Sequence, residues 1–450
     1  MKLKNILTFS LMAMVLLAFN SCKKETVDVT DLLKSVPSSA GSVVVINIEG
    51  LLEDTGCKIK DHVVEPSKEI KELITRTATT NQKDFMMLFD GSTGIEPKGA
   101  VIFSDANRSF LTFALYDVDK FCSFVEKNVG GSFSEEGSGV KVCGRIAVKG
   151  AQAWVCLPVG KNLDPDGIAA YSSLAASQSF LVTPMGEELL TDESDFRGWS
   201  MLDAYFNQML NRQNRTIMSL GLGFLFDKPE SIKFKADFKK GEFEAEAMVL
   251  NDKGKPAKFQ LPMEKIDVNT LKSLGGTCQG MMAFYLSPKM VKKFEELGNS
   301  FGGALFGDVT GVLKNVDGTV GIVASGEDLE NESVNGVLTT KGDVSMDLKE
   351  FISQNLGSIS MDGKFLRFGK GTVQGNLSTD EAAEALKGSI FGVVVDTEQL
   401  ANIGFPVVSA KGFKWVELKM SPESGSIELE VEAKTVNEKE NALLVFLRDM

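Results

Sequence analysis

The sequence predicts an α+β fold: largely antiparallel sheets with helices packed on one side, in two related halves built from strand–helix units and hairpins. Three observations predict it. Alternating, β-branched runs at 42–48, 110–116, 280–286 and 389–395 each lead straight into a stretch of helical spacing, with a weaker fifth copy at 342–346. Between these units lie hairpin patterns with clear turn residues: 234–238 with 243–249, 311–314 with 319–324, 364–368 with 372–376, and 414–420 with 426–433. A polar stretch containing lysine and proline, 251–262, separates the strand–helix copies of the first half from those of the second. Hairpins mixed with strand–helix units indicate antiparallel sheets rather than a doubly wound parallel one.

Taken in order, residues 23–32 read as a short solvated tether, and the first strand–helix unit follows it. The helices start where a polar side chain can accept the free amide hydrogens of a first turn: Asp117, Ser287, Asp347 and Asp396. Pro288 adds the fixed dihedral suited to the first helical position. The copies recur at no fixed period, which argues against a solenoid. Residues 437–448 have the spacing of a closing amphipathic helix with Leu443, Leu444, Phe446 and Leu447 on its apolar side. The expected organisation is a signal peptide at 1–21, a tether at 22–35, an N-terminal α+β domain at 36–255 and a C-terminal α+β domain at 263–450; 450 residues exceed one ordinary core.

The N-terminal segment carries the information on location. Lys2 and Lys4 precede an uncharged apolar stretch at 6–19, and the small residues Asn20 and Ser21 precede Cys22. The apolar run is too short to span a bilayer as a helix, which takes about 20 residues. This ending resembles the lipobox of bacterial lipoproteins, with Phe19 where leucine is usual. The resemblance implies cleavage before Cys22 and acylation of its thiol and new N-terminus. The phrase from Val36 to Ile48, with Leu51 and Leu52 behind it, and the region 140–157 containing Trp154, are similar to a family of cell-envelope lipoproteins of Bacteroidota-type bacteria. That family implies fold and location and brings no catalytic residue to transfer; Lys23 and Lys24 after the cysteine do not resemble an inner-membrane retention signal, so the outer membrane is the expected location.

Charge excludes a partner class. Removing residues 1–21, with Lys2 and Lys4, takes the formal net charge from −13 to −15. So acidic a chain lacks the clustered Lys and Arg of a nucleic-acid binder. It is also repelled by anionic headgroups, so acyl chains are the expected means of membrane attachment. The 30 Phe against 4 Tyr and 3 Trp point to dry interiors.

Besides Cys22 there are five cysteines, no disulfide framework. With Lys149 and Gly150 as a hairpin loop, Cys143 and Cys156 fall opposite each other, an arrangement that allows either a disulfide or two buried thiols.

Catalytic constellations are incoherent. The one histidine, His62, reads as a surface or capping residue, and neither a zinc set nor a His-assisted nucleophile can be built from the chain. Gly298 to Gly302 has the G-x-S-x-G pattern around Ser300, and Gly276 to Gly280 is its analogue around Cys278. Ser300 follows a helical pattern, however, and Cys278 precedes a strand, not the strand-to-helix elbow this chemistry needs. Residues 162–167 match part of a calcium loop, but position twelve is Ser173, so a helix-capping turn is favoured and weak calcium binding stays open.

Two apolar, Gly-rich stretches remain: 218–226, with Leu220, Leu222, Phe224 and Phe226, and 301–306, with Phe301 and Phe306. They read as buried connections or as the lining of a lipid site. The sequence thus leads to a lipid-anchored envelope protein without enzymatic activity or cofactor, acting as a binding or scaffold component toward an envelope protein. A carrier or sensor of an apolar ligand is the alternative.

Overall fold

The computed structural model describes residues 28–77, 89, 91–105, 108–136, 139–157, 165–204, 219, 221–300, 313, 315–326, 333–342, 344–397 and 412–449. Cys22 and the segment before it therefore lie outside the described residues, as do Leu220, Phe301, Phe306 and 162–164.

The first half holds strands β1 (Ser42–Ile46), β2 (Lys58–Lys60), β3 (Val63–Glu65), β4 (Ile95–Asp105), β5 (Arg108–Leu115), β6 (Ser134–Glu136), β7 (Val140–Cys143), β8 (Ile146–Lys149), β9 (Gln152–Cys156), β10 (Phe196–Met201), β11 (Pro229–Phe238) and β12 (Glu242–Asn251). Its helices are α1 (Val29–Lys34), α2 (Ile48–Asp54), α3 (Lys68–Thr77), α4 (Val118–Asn128), α5 (Pro165–Tyr171) and α6 (Pro184–Thr191). The second half holds β13 (Thr277–Cys278), β14 (Gly280–Leu286), β15 (Val316–Ser325), β16 (Ser333–Thr340), β17 (Ser358–Asp362), β18 (Phe365–Lys370), β19 (Leu377–Ser378), β20 (Phe391–Asp396), β21 (Phe413–Glu423) and β22 (Ser426–Thr435). With them go α7 (Val268–Lys272), α8 (Pro288–Ser300), α9 (Met346–Asn355), α10 (Thr379–Ala385) and α11 (Ala442–Asp449).

Eighteen strands form one continuous sheet, every pairing in it antiparallel. From end to end the order is β6-β7-β8-β9-β5-β4-β1-β10-β11-β12-β22-β21-β20-β14-β15-β16-β18-β17. The halves repeat one another in this order: β1 lies between β4 and β10, and β14 between β15 and β20. Each of these two central strands is preceded by a short helix with an aspartate cap. Asp28 opens α1 and Asp267 opens α7, within the matching strings Asp28-Val-Thr and Asp267-Val-Asn. Even the isolated Pro37–Ser179 bridge has its counterpart, the β13–β19 pair.

The halves join where β12 pairs with β22, and there the register sets Glu246 opposite Glu430. Both residues stand five places past their hairpin glycines, Gly241 and Gly425, so the join lies on a local twofold relation between equivalent strands.

Helices flank both faces of each wing, where the sequence suggested one layer. The reason is local: β5 is buried at every position from Phe110 to Leu115, so both of its faces need cover. On one face α1, α5 and α6 close over Val43, Val45, Phe103, Phe110 and Trp154. On the other, α2, α3, α4 and α11 close over Ile46, Leu111 and Phe113. The second wing does the same with α7 and α10 on one side and α8 and α9 on the other.

The exit segments cross over the join. Leu443, Val445 and Leu447 of α11, at the end of the chain, pack into the first half's core, while Ala257, Phe259 and Leu261, after β12, pack into the second half's core. Buried hydrogen bonds pin both crossings: Asn441 Nδ2 donates to the Phe238 carbonyl at 2.7 Å, and Ser426 Oγ to the Ala257 carbonyl at 2.6 Å.

Three sequence expectations shift. Residues 316–318 belong not to a hairpin turn but to β15, which bulges there, with Gly318 at φ 144° and a register shift between Val316 and Val320. The turn beside β18 lies at Gly363 (φ 60°) and joins it to β17, so Gly369 to Gly371 is not a loop between strands. Ser345, rather than Asp347, caps α9. Asp117 and Ser287 cap their helices as expected. No helix among the described residues is long and apolar enough to cross a membrane.

Candidate functional site

The four strands at the join, β11, β12, β22 and β21, differ from both wings. Their side chains are half-buried along most of their length, and alternation makes one face charged and the other apolar. Registers place Asp237, Glu244, Glu432 and Glu417 in a single row across the four strands. The adjoining row reads Lys235, Glu246, Glu430, Lys419.

Like charges directly opposite destabilise a sheet, and here lysines offset them. Lys419 Nζ reaches Glu417 and Glu430 at 3.1 Å each and Glu432 at 3.9 Å. Lys434 pairs with Glu242 and Glu432, Lys239 with Glu244, and Lys235 with Glu246 at 2.9 Å. Burial by itself lowers the Lys434 pKa, yet its bonds to Glu242 and Glu432 outweigh that and raise it. Glu417 is the exception among the acids: burial, then its contact with Glu432, pushes its carboxyl up to about 7 against the pull of Lys419. At the edge of this strip burial raises Asp195 to about 6, although the Phe238 amide donates to it at 2.7 Å.

Carboxylate oxygens of Glu242, Glu244 and Glu432 lie within 4.8 Å of one another, a spacing that suits a cation. The ammonium groups of Lys434 and Lys239 stand at these carboxylates and offset two of their three charges.

The opposite face at the join carries Phe234, Ala236, Ala245, Ala247, Leu429, Val431, Leu418 and Met420, all half-buried. Gly198 lies under the Phe234 ring: a Cβ there would come 2.4 Å from its Cζ.

His62 departs from the expected surface or capping role. It sits in the β2–β3 turn at φ 69°, stacks on Tyr116 with ring centroids 5.6 Å apart, and its Nδ1 lies 2.5 Å from Oε2 of the buried Glu96. Lys120 Nζ donates to Tyr116 Oη at 3.1 Å, and that hydroxyl donates to the Gly91 carbonyl at 2.8 Å. No motif in the sequence pairs His62 with Glu96, which is why the contact was not foreseen.

Of the residues singled out in the sequence, Cys143 and Cys156 are corrected in register. The chain turns at Gly144, Cys143 pairs with Ile146, and Val155, not Cys156, follows on the next strand. Their side chains point to opposite faces, Cys143 into one core and Cys156 into the other, and they form no disulfide. Cys278 is buried, its thiol pushed up to about 11 by burial, and so a poor nucleophile. Ser300 ends α8. Phe226 is buried against Phe259, ring centroids 5.4 Å apart, while Leu222 and Phe224 pack on the same core, Phe224 beside Phe294. An apolar cavity lies beneath α2 and α11, lined by Ile46, Leu51, Leu52, Phe196, Leu443 and Leu447; its volume of about 30 Å³ has room for a water and not for an acyl chain.

Fold and surfaces together define an α+β protein on one continuous antiparallel sheet. No family model matches the chain, and no curated protein does. Among solved structures it is similar to crystal form III of TP0453, with a TM-score of 0.31 and 9% identity over 78% of this chain and 96% of that one. Crystal form I of TP0453 gives 0.28 and 10%, over 80% and 97%.

Proposed function

We propose that this is a lipid-anchored cell-envelope protein, acting without catalysis as a binding or scaffold component. The observation that carries the reading is the apolar segment ending at Cys22, joined through a tether to a large sheet protein. Two acyl chains hold a protein on a membrane stably, each buried methylene contributing roughly 0.8 kcal/mol. The four strands at the join support a role through surfaces, since they offer a lysine-laced acidic strip on one side and an apolar strip on the other. The test is palmitate labelling of the full chain in its host. Label that depends on Cys22, and a Cys22→Ala chain released from membranes, are the expected results. A Cys22→Ala chain that stays with the membrane fraction would overturn the anchor.

A carrier of an apolar ligand is the second reading, and the half-buried apolar face around Phe234, Leu429 and Val431 favours it. Mass spectrometry of the purified native protein tests it: a stoichiometric lipid is expected, and its absence ends this reading without touching the anchor.

A further inference from the structure

The two ends of the sheet are built differently. One end, β6, is three exposed residues, Ser134, Glu135 and Glu136, a short charged edge of the kind that discourages pairing. The other, β17, runs five residues, Ser-Ile-Ser-Met-Asp, with one charge at its end. Its single sheet neighbour among the described residues is β18. Ile359 and Met361 alternate onto the face that carries α9, pairing with Phe368 and Leu366.

Exposed apolar side chains gather here. Met361 is 44% exposed, and on α9, which packs on β17, Met346 is 76% and Phe351 43% exposed. Phe351 is the only exposed phenylalanine among the described residues.

The fold itself indicates what belongs on this edge. In the first half the strand at the same place in the order, β8, is covered by an antiparallel strand, β7. The halves also join by antiparallel pairing of equivalent strands, β12 with β22.

We propose that β17 pairs with β17 of a second copy of this chain, making a twofold dimer through the open sheet edge. Residues directly opposite in a sheet share a face, so a twofold pairing of like strands must centre on a residue rather than between two. Centring on Ser360 uses all five positions and sets Ile359 against Met361 of the second copy, apolar on apolar, twice over. Ser358 then meets Asp362, and Ser360 meets its own copy. It also brings the two α9 helices alongside each other, covering Phe351. Five residue pairs and two helix flanks bury less than a standard interface of about 1,600 Å², so the dimer is concentration-dependent.

The full chain with Ser360→Cys tests this by mild oxidation and non-reducing electrophoresis, because opposed residues of an antiparallel pair have Cα atoms about 4.5–5.5 Å apart, inside the span a disulfide bridges. Ser134→Cys at the β6 edge and the unmodified chain are the controls. The expected result is a covalent dimer from Ser360→Cys alone, lost when Met361→Lys is added and retained when the exposed Lys364 is changed to Ala. Sedimentation of the unmodified chain is expected to show a reversible dimer that Met361→Lys removes. A Ser360→Cys chain that cross-links no better than Ser134→Cys, or a monomer at every concentration, overturns the proposal.

Discussion

Glu246 and Glu430 face each other across the strand pair that joins the two halves, each the equivalent of the other. Two like charges at this centre persist because each has its own lysine: Lys235 at 2.9 Å from Glu246, and Lys419 at 3.1 Å from Glu430. The join is thus held by a connected lattice of acids and lysines rather than by isolated pairs, and the acid that lattice satisfies least is Glu417.

Glu417 sets a pH dependence. Its folded pKa of about 7 lies above the usual carboxylate value of 4.5, so between these values the folded chain holds a proton that the unfolded chain has released. Stability from this group is present below pH 4.5 and is lost as pH rises through 7. Glu417→Gln removes the titration. Chemical denaturation at pH 5 and pH 8 is expected to show the original chain losing on the order of 2 kcal/mol relative to the variant. Equal pH dependence in both would refute the assignment.

His62 is expected to matter for stability although the β2–β3 turn lies at the surface. His62→Ala leaves the buried Glu96 without its 2.5 Å partner, at a cost of about 1–3 kcal/mol. Adding Glu96→Gln should recover part of the loss, because an amide is cheaper to bury than a carboxylate. A double-mutant cycle by urea titration measures the coupling, and additive losses would mean the contact contributes nothing.

Leu443→Ala tests the crossing. The residue is 3% exposed within the first half's core, so truncation is expected to cost about 2–5 kcal/mol. Because α11 belongs by sequence to the second half, calorimetry of the variant should show one transition shifted as a whole. Selective loss of the second half alone would contradict the packing.

Cys143 and Cys156 are expected to stay unlinked under oxidising conditions. Peptide mapping after alkylation of the denatured chain should recover both as separate thiols; a peptide joining them would require a register the strands do not have.

Much of this fold was legible in the chain. Caps at Asp117 and Ser287, the alternation of 234–249 and 414–433, and the burial of Leu443 and Leu447 each follow from a local period or a local donor, so a window of a dozen residues contains the cause; the closing helix itself begins at Ala442 rather than at 437 and buries Val445, with Leu444 and Phe446 only half-buried. What escaped depends on contacts far apart in sequence. Gly318 looks like a turn residue until β16 pairs with β15 across it, and Cys156 looks opposite Cys143 until the chain turns at Gly144. The contact of His62 with the buried Glu96 and the acidic row from Asp237 to Glu417 arise only when distant strands are set side by side. The anchor proposed at Cys22 is the reverse case, read from the sequence alone and lying outside the described residues.

The exchange of exit segments has a temporal consequence. Synthesis proceeds from the N-terminus, yet the first half's interior stays incomplete until Leu443, Val445 and Leu447 have left the ribosome, long after β12 and after every strand of the second half. A nascent chain therefore has no finished first module to lock into early, and the two halves must complete their interiors together.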